Sequence, residues 1–422
     1  MIDAERIVAQ ARQAVAPQWA AIAERERRNL QKVLSAFHSA RIGEEHFAGS
    51  TGYGYHDIGR QALEQVYARV FGAEAALVRP QIASGTHAIS ACLFGLLKPG
   101  DHLLAASGPP YDTLQQVIAG PRPTSLRALG VEYTYVPLIQ EGEQAGDVDL
   151  PAVLAALRPS TRVVFLQRSR GYTWRPALSV ARIGEIVAAV KARRPDVICF
   201  VDNCYGEFVE DLEPPQVGAD LIAGSLIKNP GGGLAPAGGY IAGRADLVSL
   251  AADRVTAPGL GDAVGPTLRV NRDLFYGFFQ APHVVAEALC GAVLASAVFA
   301  SLGFPVSPGP GDARADVVQA IRLGSPEALQ LFCRAVQASG PVDAHVVPVP
   351  GDLPGYAVPV LMAGGTFIQG SSIELSADGP MRPPYDVYVQ GGLSREHVHI
   401  ALLRIIEQFS HAGYLPARTT GY

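Results

Sequence analysis

Lys228 sits in the stretch Gly224-Ser-Leu-Ile-Lys-Asn-Pro-Gly-Gly-Gly233, after a short apolar run and before three consecutive glycines. Between apolar walls the ammonium form of a lysine is disfavoured, because burial takes the charge out of water. The expectation is therefore a lowered pKa. A neutral, positioned amine is what Schiff-base chemistry with an aldehyde cofactor requires. Ser225, three residues earlier, can turn its hydroxyl to the same side of the turn and hold a phosphate. Gly231, Gly232 and Gly233 permit positive φ and close backbone approach. The plainer alternative is a solvated loop lysine beside a flexible turn, so other residues have to decide.

Four more groups could do chemistry. Ser84-Gly85-Thr86 opens an apolar helix, whose first-turn amides and dipole make an anion site; the same residues also suit a plain N-cap. Tyr111 follows Gly108-Pro-Pro and presents an aromatic ring. Asp202 ends the apolar run Val197-Ile-Cys-Phe-Val, and a carboxylate at a strand's C-terminal end lies where open α/β sheets bind ligands. The loop from Gly49 to Arg60 offers Tyr53, Tyr55, Asp57 and Arg60 to something anionic, or is an ordinary capping loop. Arg382, between a turn and two prolines, is held as a bidentate carboxylate ligand would be, although a solvated loop arginine is the commoner case.

The elements that must position these residues alternate from Ala75 onward. Short strands are expected near Ala76, Leu103, Val131, Arg162, Val197 and Tyr240, with helices at 88–97 and 180–191 between them. Such alternation implies an α/β fold with a mostly parallel sheet and helices on both faces. The expected organisation is a helical arm and Gly/Tyr loop at 1–60, a large domain at 61–282, and a connecting helix with a smaller C-terminal α+β domain at 283–422.

Of 422 residues, 48% are hydrophobic and 17% charged, enough for a sizeable core and too few charges for long disordered tails. A net charge of −5 argues against a nucleic-acid surface. The five scattered cysteines lack zinc spacing and fit reduced core thiols in a cytoplasmic protein. No metal site is expected: His397 and His399, two apart on a helix, face different ways. The apolar segment 288–306 is long enough to span a bilayer, but its Ala, Gly and Ser content reads better as a buried helix, and no membrane association is expected. Nucleophile-elbow, zincin, Walker and dinucleotide motifs are absent.

Taken in order, the phosphate cradle, aromatic plate, strand-end acid and Ser-x-x-Lys are the parts that pyridoxal phosphate uses. The chain resembles fold-type-I pyridoxal-phosphate enzymes of the cysteine/methionine-metabolism group, which includes methionine gamma-lyase and cystathionine gamma-synthase. Within that group it is similar to the methionine gamma-lyase-like branch, also called aluminium resistance proteins. Val201-Asp202-Asn203, Gly218-Ala-Asp220 with Gly224-Ser225-Leu-Ile-Lys228, and Gln369-Gly-Ser-Ser-Ile-Glu-Leu-Ser-Ala-Asp-Gly-Pro380 carry the resemblance, which spans roughly residues 50–410.

The resemblance implies pyridoxal 5'-phosphate bound to Lys228, its ring nitrogen on Asp202 and its ring under Tyr111. It implies phosphate contacts from Gly85, Thr86 and Ser225, with Tyr53 or Tyr55 reaching in from a neighbouring subunit of a dimer of dimers. Arg170 falls near the place where better-known lyases carry an asparagine on the cofactor's phenolic oxygen. The usual late-strand arginine is missing from Tyr385–Gln390, and Arg382 stands in for it toward the substrate carboxylate. The implied activity is β- or γ-elimination from a sulfur-containing amino acid. Gamma-replacement, transamination and cofactor binding without turnover are the alternatives.

Overall fold

The computed structural model describes residues 3–142 and 144–415. Two compact units are seen: Met1–Glu26 with His283–Tyr422, and Arg27–Pro282. The first sixty residues are thus shared between the units. Helices α1 (Ala4–Ala14) and α2 (Ala16–Ser39) open the chain, Asp3 capping the first through the Arg6 N–H.

The unit Arg27–Pro282 is built on seven strands: β1 (Ala75–Arg79), β2 (His102–Ala105), β3 (Glu132–Tyr135), β4 (Thr161–Gln167), β5 (Ile198–Asp202), β6 (Leu221–Ser225) and β7 (Gly239–Gly243). Their order is β1-β7-β6-β5-β4-β2-β3. Neighbours from β6 to β3 pair in parallel, and only β7 runs against the rest. Helices α3 (Ile58–Phe71), α4 (Gly85–Leu96), α5 (Asp112–Ala119), α6 (Leu150–Ala156), α7 (Val180–Arg193) and α8 (Ala245–Val255) connect the strands.

The central strands are apolar on both sides because both sides are covered. On one face Phe165, Phe200, Ala223 and Ile241 pack with Ala88, Ile89 and Cys92 of α4 and with Ala251 of α8. On the other, Tyr67 and Phe71 of α3 meet Tyr240 of β7 and Phe278, and Tyr67 stacks on Phe278 with ring centroids 3.8 Å apart. A parallel sheet places its strand C-termini together. Gln167, Asp202 and Ser225, the last residues of three adjacent strands, therefore share one edge, the edge where open α/β sheets bind ligands.

Helix α9 (Asn271–Ser301) runs across the boundary between the units. It starts eleven residues before the expected position near Pro282, which lies inside it. Burial of Leu274, Phe275 and Phe278 extends the helix upstream despite the amide that proline lacks. Its apolar window is 89% buried in the protein.

The second sheet, in the other unit, consists of β8 (Val306–Ser307), β9 (Gln319–Arg322), β10 (Val360–Ala363), β11 (Ser376–Pro380) and β12 (Asp386–Gln390), all antiparallel in the order β10-β11-β12-β9-β8. Helices α10 (Pro326–Gln337) and α11 (Arg395–Ala412) belong to the same unit, and Ser394 caps α11 by accepting the Glu396 N–H.

Candidate active site

Lys228 follows β6 in a turn that leaves no room for side chains at Gly231 and Gly232. A Cβ on Gly231 would lie 1.8 Å from the Leu226 carbonyl oxygen. Gly232 holds φ +54, and a Cβ there would lie 2.3 Å from the carbonyl oxygen of Gly277 on α9. The glycines are thus required by close approach and left-handed backbone, not by flexibility. Asn229, fully buried, ties the turn to the β5–β6 connection by donating from Nδ2 to the Glu207 carbonyl at 2.9 Å.

Asp202, 4% exposed, accepts the Cys204 N–H at 3.1 Å. Burial pushes its carboxyl up, against the opposing pull of the Cys204 contacts, Lys228 and Arg175. The Lys228 amine lies 3.5 Å from the centre of the Tyr205 ring. Its pKa moves the other way from the sequence expectation. Burial does favour the neutral amine, but Tyr205, Cys204 and Asp202 together outweigh it and raise the pKa. The walls around Lys228 are polar where the sequence suggested apolar ones.

Helix α4 begins against this cluster. Ser84 is its N-cap, accepting the His87 N–H at 3.1 Å, while its carbonyl takes the Ala88 amide. The first-turn amides of Gly85 and Thr86 remain for an anion. A Cβ on Gly85 would lie 3.0 Å from the Cys204 sulfur and 3.4 Å from Ser225 Cβ, so the helix start, Ser225 and the residues after Asp202 meet at one point. Ser225 is 2% exposed. Thr86 Oγ1 and the Tyr111 hydroxyl are 2.8 Å apart, and Gln167 Oε1 fixes the Tyr111 backbone N–H at 3.0 Å. Ser84, Gly85, Thr86, Tyr111, Asp202, Ser225 and Lys228 therefore belong to one constellation, supplied entirely by the unit Arg27–Pro282.

The remaining candidates are placed differently. Arg170 is 1% exposed, in the segment after β4. Arg382 belongs to the other unit, exposed in the turn after β11. Tyr53 and Tyr55 are 74% and 53% exposed, their rings 5.8 Å apart. Asp57 and Arg60, expected to face an anion, are committed internally. Arg60, 1% exposed, donates to the carbonyls of Gly54, Asp262, Ala263 and Gly265. Asp57 caps α3 and accepts from Ser50, Thr267 and Asn271. Together they clamp the Gly/Tyr loop onto residues 262–267. Sequence reasoning missed Cys204, Tyr205 and Gln167; Tyr205, three residues past the strand-end acid in the connection between two strands, was the signal available.

Over residues 4–410 the sequence matches the family described as methionine gamma-lyase. The chain belongs to the methionine gamma-lyase family. It is 49% identical to the uncharacterized protein YnbB of Bacillus subtilis over 389 residues, covering 92% of this chain and 91% of that protein. A solved structure from Listeria innocua, provisionally named a cystathionine beta-lyase involved in aluminum resistance, is 49% identical; 96% of this chain and 99% of that one superpose with a TM-score of 0.92. At 19% identity the pyridoxal-5'-phosphate-dependent protein YhfS of Escherichia coli shares the fold, with a TM-score of 0.57 over 92% of this chain and 97% of that one. The architecture is the fold-type-I one expected from the resemblance, and the family is one of carbon–sulfur lyases.

Proposed function

We propose that this member of the methionine gamma-lyase family is a pyridoxal 5'-phosphate-dependent lyase that eliminates a thiol from a sulfur-containing amino acid. The observation that carries the reading is the convergence of a buried lysine, a buried strand-end carboxylate and an open helix N-terminus on one sheet edge. The residues fit the cofactor's parts: Gly85 and Thr86 amides with the Ser225 hydroxyl for the phosphate, Asp202 for the ring nitrogen, Tyr111 for the ring face, and Lys228 for the aldehyde. When bound, the cofactor supplies a carbonyl that captures amines and a protonated ring that withdraws electrons from the substrate Cα.

This chain's own groups do the rest. Asp202, held by the Cys204 N–H, would hold a proton at the ring nitrogen. Lys228 Nζ takes the proton from the substrate Cα. The Tyr111 hydroxyl, oriented by Thr86, donates a proton to the departing sulfur. Arg170 and Arg382 are proposed for the cofactor's phenolic oxygen and the substrate carboxylate. The names of the family and of its Listeria relative, both referring to thioether amino acids, support methionine- and cystathionine-like substrates.

The active particle is proposed to be a homo-oligomer, a dimer of dimers whose sites are shared, with Tyr53 and Tyr55 on a neighbour's phosphate. Exposed Tyr53, Tyr55 and Leu268 on two loops clamped by Arg60, with exposed Ile58 at the start of α3, support that surface as the contact. Five unpaired, buried thiols suit the reducing cytoplasm.

The test is chemical. Purified protein should be yellow, and borohydride should remove the visible band while fixing the cofactor to Lys228. A panel of thioether amino acids should then release keto acid, ammonia and thiol without an added acceptor. Attachment at another lysine would overturn the reading. Turnover that stops after one equivalent and resumes with a keto acid would reassign the chain to the aminotransferases.

A further inference from the structure

Tyr205 holds a backbone conformation that tyrosine rarely adopts, φ +66, three residues beyond Asp202. A strained residue of this kind persists only where its surroundings over-determine it. Here both flanks are pinned. On one side the Asn203 N–H donates to the Ala223 carbonyl at 3.0 Å, and Asn203 Oδ1 accepts from Arg168 at 2.7 Å. On the other, a Cβ at Gly206 would lie 2.4 Å from Arg168, and the Phe208 N–H donates to Glu213 at 2.8 Å. Asn29 of α2 donates to the Phe208 carbonyl at 2.9 Å. The effect of this bracing is to aim one side chain. The Tyr205 ring, 9% exposed, lies under the Lys228 amine at 3.5 Å, which brings its hydroxyl close to the same amine.

We propose that Tyr205 is a positioning residue for Lys228, whose ring face and hydroxyl hold the amine in place and favour its ammonium form over the free amine. The inference rests on the reading of Lys228 as the group that captures the cofactor. When a substrate amine displaces it, Lys228 leaves as a free amine and takes the proton from the substrate Cα. The C–H bond breaks, its electron pair stays with the substrate, and the new N–H bond makes the ammonium. A cation over an aromatic face with a hydroxyl acceptor favours that product and keeps Nζ in place. Asp202 and Cys204 are the other titratable groups facing Nζ, and they act in the same direction.

The test uses the full-length chain freed of cofactor, with pyridoxal 5'-phosphate addition followed by absorbance across pH. Tyr205→Phe keeps the ring and loses the hydroxyl; Tyr205→Leu loses both. An amine released from its ammonium state adds to the aldehyde faster at neutral pH. Tyr205→Phe should react about tenfold faster near neutrality, its profile moved about one pH unit down, and Tyr205→Leu should move further. On the holoenzyme, glycine, which has no leaving group, should need about tenfold more for half-displacement of Lys228 in Tyr205→Phe. Superposable profiles and glycine titrations in wild type and Tyr205→Phe would overturn the inference. Borohydride attachment at Lys228 in the same samples separates that failure from failure of the lysine assignment itself.

Discussion

Gly85→Ala tests the site's geometry with a single methyl. The glycine opens α4 without left-handed backbone, so alanine meets no conformational penalty and gains up to about 1 kcal/mol of helix propensity. Against this, the new Cβ would lie 3.0 Å from the Cys204 sulfur and 3.4 Å from Ser225 Cβ. Overpacking of this size costs about 1–3 kcal/mol, so the net loss of stability should be near 1 kcal/mol. The functional loss should be larger. Pushing the helix start from Ser225 removes a charge-assisted hydrogen bond to the phosphate, about 1.5–3 kcal/mol, or about 10- to 150-fold in Kd. Cofactor titration of the freed chain measures this, with urea unfolding as the stability control. Adding Cys204→Ala removes the atom that the methyl meets, so the double variant should recover part of the affinity. Wild-type affinity in Gly85→Ala, or no recovery in the double variant, would refute the placement of the helix start against Cys204 and Ser225.

Tyr111→Phe should keep cofactor affinity, because the ring remains, and lose elimination by about 10²–10⁴-fold if its hydroxyl protonates the leaving sulfur; comparing Kd with kcat decides. Mixing inactive Lys228→Ala and Tyr55→Ala subunits should restore partial activity, since a mixed dimer has one intact site, and no recovery despite demonstrated exchange would exclude shared sites. Burial pushes the Glu207 carboxyl up to about 8, its hydrogen bond from Tyr240 opposing and neighbouring Glu213 reinforcing the shift. The folded chain therefore keeps a proton that the unfolded chain loses above about 4.5, and this contribution to stability falls as pH rises from there to about 8. Glu207→Gln should lose that slope, and parallel wild-type and variant melting curves across pH 5–8 would contradict it.

The alternation of apolar strands and helices, and the order of Ser84–Thr86, Tyr111, Asp202 and Lys228, were legible because each depends on local pattern and chain order. The errors have a common cause in partners far along the chain. Arg60 reads as an anion ligand until residues 262–265 bring their carbonyls to it, some two hundred positions away. Lys228 reads as a depressed amine until the turn after β5 swings Tyr205 and Cys204 around it. Helix α9, expected in the segment 283–422, begins upstream at Asn271 because Phe275 and Phe278 gain burial there for about another three turns.

The contact between the Lys228 turn and α9 is backbone against backbone. A Cβ on Gly277 would lie 2.2 Å from the Gly231 carbonyl oxygen, just as one on Gly232 would strike Gly277. No side chain intervenes at this contact, so the height of the turn over α9 is set by main-chain atoms. A protein engineer can accordingly treat this family's pocket as a fixed anvil with exchangeable tooling. Substitutions elsewhere in the pocket would leave the turn that carries the amine in place, while positions 231, 232 and 277 should return almost no viable variants.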